Sequence, residues 1–292
     1  MRRRIQYWES QLAPIKTPKT LCVIEADFYG TIYPVVLAIW DNAVFCLDIL
    51  ENTNTETYVN FFRMLEADLI KTVCIDPEEN LLGAVSDCFP MATVAITEEC
   101  ILRYARNAML EIIHLNGKRF PLRNKNNQLT LHKKYITNDR DKKQIEDGMK
   151  SRERLKIAYD YHQRLLELSD TKLSYETFAA WIKEGPEDLT EFAVLTDIAE
   201  IYEAELKECL DGETQLPKAY ATSVKAICEA FKDMPRCIFD VLRARSIFTK
   251  KFDTIEEDGE KRRLGIRVDL LTANMNEIAK NIREEREYGL ER

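Results

Sequence analysis

Short apolar runs alternate with helical periodicity over the first hundred or so residues, and helical periodicity dominates most of the remaining chain. Leu21-Cys22-Val23-Ile24 reads as a buried strand that reaches carboxylates at Glu25 and Asp27. Tyr33 to Trp40, rich in branched residues, is a second strand; Asp41-Asn42 supplies a turn, and Val44 to Leu50 is a third. Asn54 or Thr55 can cap the next helix, where Tyr58, Phe61, Phe62, Leu65 and Leu69 fall at helical spacing on one face. Thr72 to Ile75 is predicted as a fourth strand ending at Asp76. Glu78 to Cys88 is a second helix stopped by Pro90, Ala92 to Ile96 a fifth strand, and Glu98 to Leu115 a third helix.

Three strands joined by tight turns, followed by helix, strand, helix, strand and helix, give an α/β fold of the ribonuclease-H-like kind. The first three strands can form an antiparallel meander, and the helical crossovers make the later strands parallel. A flavodoxin-like order would need a helix between the first two strands, and Asp27 to Tyr33 leaves no room for one. The polar stretch from Gly117 to Asn138 reads as a loop or arm. Beyond it helices are predicted over Ile145–Ser169, Tyr175–Ile182, Leu189–Leu210, Pro217–Phe231 and Pro235–Lys250. A charged loop from Glu256 to Arg263 then precedes an amphipathic helix from Leu264 to Arg286. The expected organisation is a tail over 1–18, the first part of the core over 19–117, a large all-helical insertion over 118–213, returning core helices over 214–250, and a C-terminal amphipathic helix within 251–292.

Composition adds that 45% of the 292 residues are hydrophobic and 32% charged, a soluble balance. The longest apolar run, Val35 to Trp40, is too short to span a bilayer, and no apolar segment follows the basic Met1-Arg2-Arg3-Arg4-Ile5. Neither a membrane span nor a secretory signal is expected. The eight cysteines form no C-x-x-C pair and sit in apolar patterns, which points to free packed thiols and a cytoplasmic protein.

The net charge of −8 argues against a nucleic-acid partner until its distribution is considered. Between Arg103 and Lys156 stand fifteen Lys/Arg against six Asp/Glu. Such a stretch marks a polyanion site or contact with the chain's own acidic part. Arg103, Arg106, Lys118, Arg119, Arg123, Lys125, Lys133 and Lys134, with Tyr104 and Phe120 among them, can follow a nucleic-acid backbone. They can equally pair with the acidic helices around Glu191 to Glu208.

The stretch Val23-Ile24-Glu25-Ala26-Asp27-Phe28-Tyr29-Gly30, followed by Tyr33-Pro34-Val35-Val36-Leu37, resembles the first two core strands of bacterial insertion-sequence DDE transposases of the ISL-three-type and Mutator-like groups. The similarity continues through Val73-Cys74-Ile75-Asp76 and Phe89-Pro90-Met91-Ala92-Thr93-Val94, and more weakly from Leu189 to Arg245. It rests on the order of several weak motifs.

The resemblance implies phosphodiester hydrolysis and strand transfer by two Mg²⁺ or Mn²⁺ ions, about 3.5–4 Å apart and held by three carboxylates. Glu25 or Asp27 matches the first carboxylate and Asp76 the second. Where the resemblance places the third, Thr214 to Tyr220 is not acidic, and no acid occurs between Glu213 and Glu229. Glu213 is the acid that a shifted alignment would supply. The expectation is therefore a transposase-like protein without catalysis, kept for contact with DNA or a protein partner. An active Mg²⁺-dependent transposase or nuclease is the alternative.

A plainer reading has Asp76 cap the following helix, and Glu25 and Asp27 lie on a solvent-facing edge. His114, His132 and His162 lack metal-ligand spacing and read as surface or helix residues. The stripe Leu264, Val268, Leu271, Met275 and Ile278 could pack as core, dock a partner or form a homodimer.

Overall fold

The computed structural model describes residues 13–16, 18–40, 43–115, 129–212, 214, 216–218, 220–232, 255–257 and 260–267. Along the chain these form β1 (Ala13–Lys16), β2 (Thr20–Phe28), β3 (Thr31–Trp40), β4 (Ala43–Ile49), α1 (Thr55–Phe62), β5 (Thr72–Ile75), α2 (Glu79–Cys88), β6 (Thr93–Ala95) and α3 (Glu98–Leu115). Then come α4 (Asp139–Met149), α5 (Glu153–Thr171), α6 (Tyr175–Lys183), α7 (Ala193–Ile201), α8 (Glu203–Leu210), α9 (Tyr220–Lys232), β7 (Ile255–Glu257) and β8 (Glu260–Arg267). The chain divides into two compact units: Met1–Val94 with Thr214–Arg292, and Ala95–Glu213.

The first unit is built on the sheet. Its strand order is β1-β8-β4-β3-β2-β5-β6, with β7 paired to β8. β2, β3 and β4 form an antiparallel meander, and β5 runs parallel to β2 with Val23 opposite Ile75. The α/β expectation holds, and the order β4-β3-β2-β5-β6 is compatible with a ribonuclease-H-like transposase fold. Leu21, Val23, Val35, Val36, Leu37, Val73 and Ile75 are buried, because β2, β3 and β5 are central strands covered on both faces. Between β3 and β4 the register shifts by one residue at Val36/Leu37, a β-bulge.

Helix α1 is shorter than the apolar stripe suggested. It ends at Phe62, the chain turns again through a 3-10 segment at Ala67–Leu69, and Leu69 is exposed rather than on the buried face. Asn54 takes the N-cap position of α1, but its side chain makes no capping bond.

The sheet is also wider than the sequence suggested. Ala13–Lys16, expected in a tail, pairs antiparallel with β8; β1 ends the strand order, a position that accommodates Pro14. Glu260–Arg267, expected as a loop running into a helix at Leu264, is a strand. Glu257 of β7 pairs with Glu260 of β8. The rest of the expected C-terminal helix, from Val268, lies outside the described residues, as does the expected helix from Pro235.

In the second unit every described regular element is helical. Its aromatic centre is Trp181, whose ring stacks 4.0 Å from that of Tyr161 and whose Nε1–H donates to the Tyr161 carbonyl at 3.0 Å. Phe178 and Phe192 pack against Trp181. A reciprocal Ser174–Thr177 capping box starts α6. Two expected long helices are each broken: one into α4 and α5 around Lys150–Arg152, the other into a 3-10 turn at Thr190–Phe192, α7 and α8. The second break falls at the buried Tyr202, whose backbone leaves helical geometry at φ −114°, ψ 36°.

Candidate functional site

Alternation along β2 puts Leu21, Val23, Glu25 and Asp27 on one face. The first two are buried, Glu25 is half-buried and Asp27 is exposed. Asp27 stands where β2 turns back into β3. Phe28 pairs with Thr31, so Tyr29-Gly30 is a two-residue hairpin connection, with both residues at positive φ (60° and 76°). The Asp27 Oδ1 accepts the Gly30 N–H at 2.8 Å, tying this carboxylate to the turn.

Asp76 follows the last residue of β5 and is 1% exposed. Its N–H donates to the Val23 carbonyl at 3.1 Å, and its Oδ2 accepts the Glu25 N–H at 2.6 Å. The carboxylate thus extends the parallel β2–β5 ladder by one bond, using a side chain where a carbonyl would otherwise accept. The helix-capping role considered for Asp76 belongs instead to Glu78, which accepts the N–H groups of Asn80 at 3.1 Å and Leu81 at 2.6 Å. Glutamate is an unusual N-cap, which is why the sequence pointed to the aspartate.

One further residue here escaped sequence reasoning. Tyr58 on α1 is fully buried, and its hydroxyl has no hydrogen-bond partner. Burial raises its pKa, and the negative charges of Glu78, Glu25 and Asp76 act in the same direction. Three carboxylates and an unsatisfied phenol therefore share one neighbourhood at the end of β2 and β5.

The metal chemistry implied by the resemblance needs three carboxylates on the ions. Among the described residues, no three His, Cys, Asp or Glu side chains are grouped to hold an ion. Glu213 lies outside the described residues. In the stretch after it, Tyr220 is buried and opens α9. The described side chains do not fit a three-carboxylate metal cage.

Of the basic candidates, Lys118, Arg119, Arg123 and Lys125 lie outside the described residues. The other four contact groups within their own unit. Arg103 pairs with Glu99 at 3.4 Å and lies over the Tyr104 ring, and the Arg106 Nε–H donates to Thr130 Oγ1 at 3.4 Å. Lys133 pairs with Glu167, and Lys134 with Asp170. These acids lie on α3 and α5; within the Glu191–Glu208 region, Glu191 is engaged by Arg154 at 2.6 Å.

His114 is exposed, but the other two histidines are buried. His132 Nδ1 accepts the Lys134 N–H at 3.1 Å. Its Nε2 stands 3.0 Å from Asp170 without hydrogen-bond alignment, so this contact is electrostatic. Neither ring nitrogen of His162 has a hydrogen-bond partner. Its pKa falls to about 4, first through burial and then through the nearby Arg106 and His132.

A mixed sheet of this order is compatible with the ribonuclease-H-like fold of DDE transposases. Residues 30–236 match the family model described as Transposase, of the ISL3 DDE type. The chain belongs to this family of mobile-element proteins. The match includes Asp76; it starts after Glu25 and Asp27 and stops before β7 and β8. No curated protein matches the chain. Among the described residues, no helix is long and apolar enough to cross a membrane.

Proposed function

We propose that this transposase-family chain contacts DNA and has lost strand transfer. The observation that carries this reading is the use made of the candidate acids. Asp76 accepts a backbone N–H from Glu25, and Asp27 accepts one from Gly30. Each bond serves local structure, and among the described residues no three His, Cys, Asp or Glu side chains are grouped so as to hold an ion. Losing a metal ligand removes several kcal/mol of transition-state stabilisation, and each ~1.4 kcal/mol is a factor of ten in rate. Binding to a phosphate backbone survives such a loss, because it depends on Lys and Arg.

The test is a duplex-DNA titration at two salt concentrations with Mg²⁺ present and the products examined on the same samples. Salt-sensitive binding without cleavage is expected; absence of binding at low salt contradicts the reading.

The second reading is a residual Mg²⁺- or Mn²⁺-dependent nuclease using Glu25, Asp27 and Asp76, with Glu213 as a candidate further ligand. The hydrogen bond that brings the Asp76 carboxylate to the Glu25 backbone favours it. It requires metal-dependent cleavage that disappears in Asp76→Ala.

A further inference from the structure

Residues 129–136 include the 3-10 turn Lys133–Tyr135 and touch both α3 and α5. Leu129, Thr130, His132 and Ile136 are buried. The Gln163 side chain of α5 clasps this segment at two backbone points, accepting the Lys133 N–H at 2.8 Å and donating to the Leu131 carbonyl at 2.8 Å. Arg106 of α3 donates to Thr130, and Lys133 and Lys134 pair with Glu167 and Asp170 at the surface. Such exposed ion pairs contribute little. The segment is therefore a strap held by its buried residues and by Gln163.

His162 precedes Gln163 and lies on the stripe of α5 formed by positions 162, 166 and 169. Ser169, at the far end of that stripe, donates to Glu98 of α3, so the stripe faces α3. The His162 ring is 1% exposed, and neither nitrogen has a hydrogen-bond partner. The charged or titratable groups that act on it are Arg106 of α3 and His132 of the strap. Of the other neighbours of α5, α4 buries the Asp141 carboxylate, and α6 stacks the uncharged Trp181 on Tyr161.

A neutral imidazole can be buried at this junction. A protonated one carries two N–H donors and a positive charge beside a guanidinium, with no acceptor at either nitrogen. Two of the elements that meet there are long helices; the strap is the short one and yields first to admit water.

We propose that residues 129–136 are an acid-released strap on the helical unit and that protonation of His162 opens it. Opening hydrates the imidazolium and parts Lys133 and Lys134 from Glu167 and Asp170. The closed ring has a pKa of about 4 against 6.5 for the unperturbed group. The opening equilibrium therefore rises about tenfold for each unit of pH lost between these values. This device is independent of the DNA-contact reading.

The test is hydrogen exchange on the full chain between about pH 7 and pH 5, read by peptide mass spectrometry and corrected for the intrinsic pH dependence of exchange. Protection of the Lys133 to Ile136 amides should fall about tenfold per unit below pH 6.5, while α3 and α5 keep theirs. His162→Gln and His162→Leu should make strap protection independent of pH in this range. Asp141→Asn and Asp170→Asn, which remove carboxylates that could titrate instead, should keep the wild-type slope. Gln163→Ala should loosen the strap already at pH 7 and leave the slope unchanged, a check that does not depend on how the His162 variants fold. Strap protection that ignores pH, or that falls together with α3 and α5, overturns the proposal. So does a slope that survives in His162→Gln or vanishes in either Asn variant. A Gln163→Ala chain with full strap protection at pH 7 overturns the strap itself.

Discussion

In the sheet unit the buried Asp76 carboxylate takes the Glu25 N–H, whereas in the helical unit the buried His162 ring leaves both nitrogens without a partner. The two solutions have different consequences. A carboxylate placed where a ladder needs an acceptor satisfies a backbone donor and supports the fold. An imidazole buried beside Arg106 is stable only while neutral. In the sheet unit Asp27 and Asp76 sit at strand ends and accept backbone N–H groups. In the helical unit the described candidate cations are engaged by Glu99, Thr130, Glu167 and Asp170.

The largest effect that would break this contrast is a pH response from the helical unit. His162 has a folded pKa of about 4 against 6.5 for the unperturbed group. Between these values the unfolded state holds more protons, so stability rises with pH across the window. The contribution is present above pH 6.5 and is lost as the pH falls toward 4, amounting to about 3 kcal/mol. Denaturant unfolding at stepped pH should show this loss, and His162→Leu should flatten the curve in that window. An unchanged curve in the variant would place the acid sensitivity elsewhere.

A smaller effect sharpens the other side. Asp76→Ala leaves the Glu25 N–H without this acceptor and should cost about 1–3 kcal/mol. Asp76→Asn keeps an acceptor oxygen and should cost clearly less. Thermal melts of the two variants, run side by side, separate a structural carboxylate from one whose charge alone matters. Equal losses would count against the ladder role.

Much of the sheet unit was legible in the sequence because its signals are local. The run Leu21 to Ile24 and the tetrapeptide Thr72 to Ile75 each correspond closely to an observed element. The helical unit was harder. Periodicity runs straight through the break at Lys150–Arg152, just after Gly148, and through the break at the buried Tyr202, whose backbone leaves helical geometry. β8 was missed for another reason: Leu264, Val268 and Leu271 fit a helical stripe.

At the site, the position of Asp76 at a strand end was readable. Its bond to the Glu25 N–H was not, because that depends on the register between two strands distant in sequence. The burial of Tyr58 among Glu25, Asp76 and Glu78 is likewise a product of packing.

The most direct test of the central claim is nicking of supercoiled DNA by the full chain in Mg²⁺ and in Mn²⁺, beside Asp76→Asn. The account predicts DNA binding by both proteins and no metal-dependent nicking above background by either. Nicking by the wild-type chain that vanishes in Asp76→Asn would contradict it and establish Asp76 as a catalytic carboxylate.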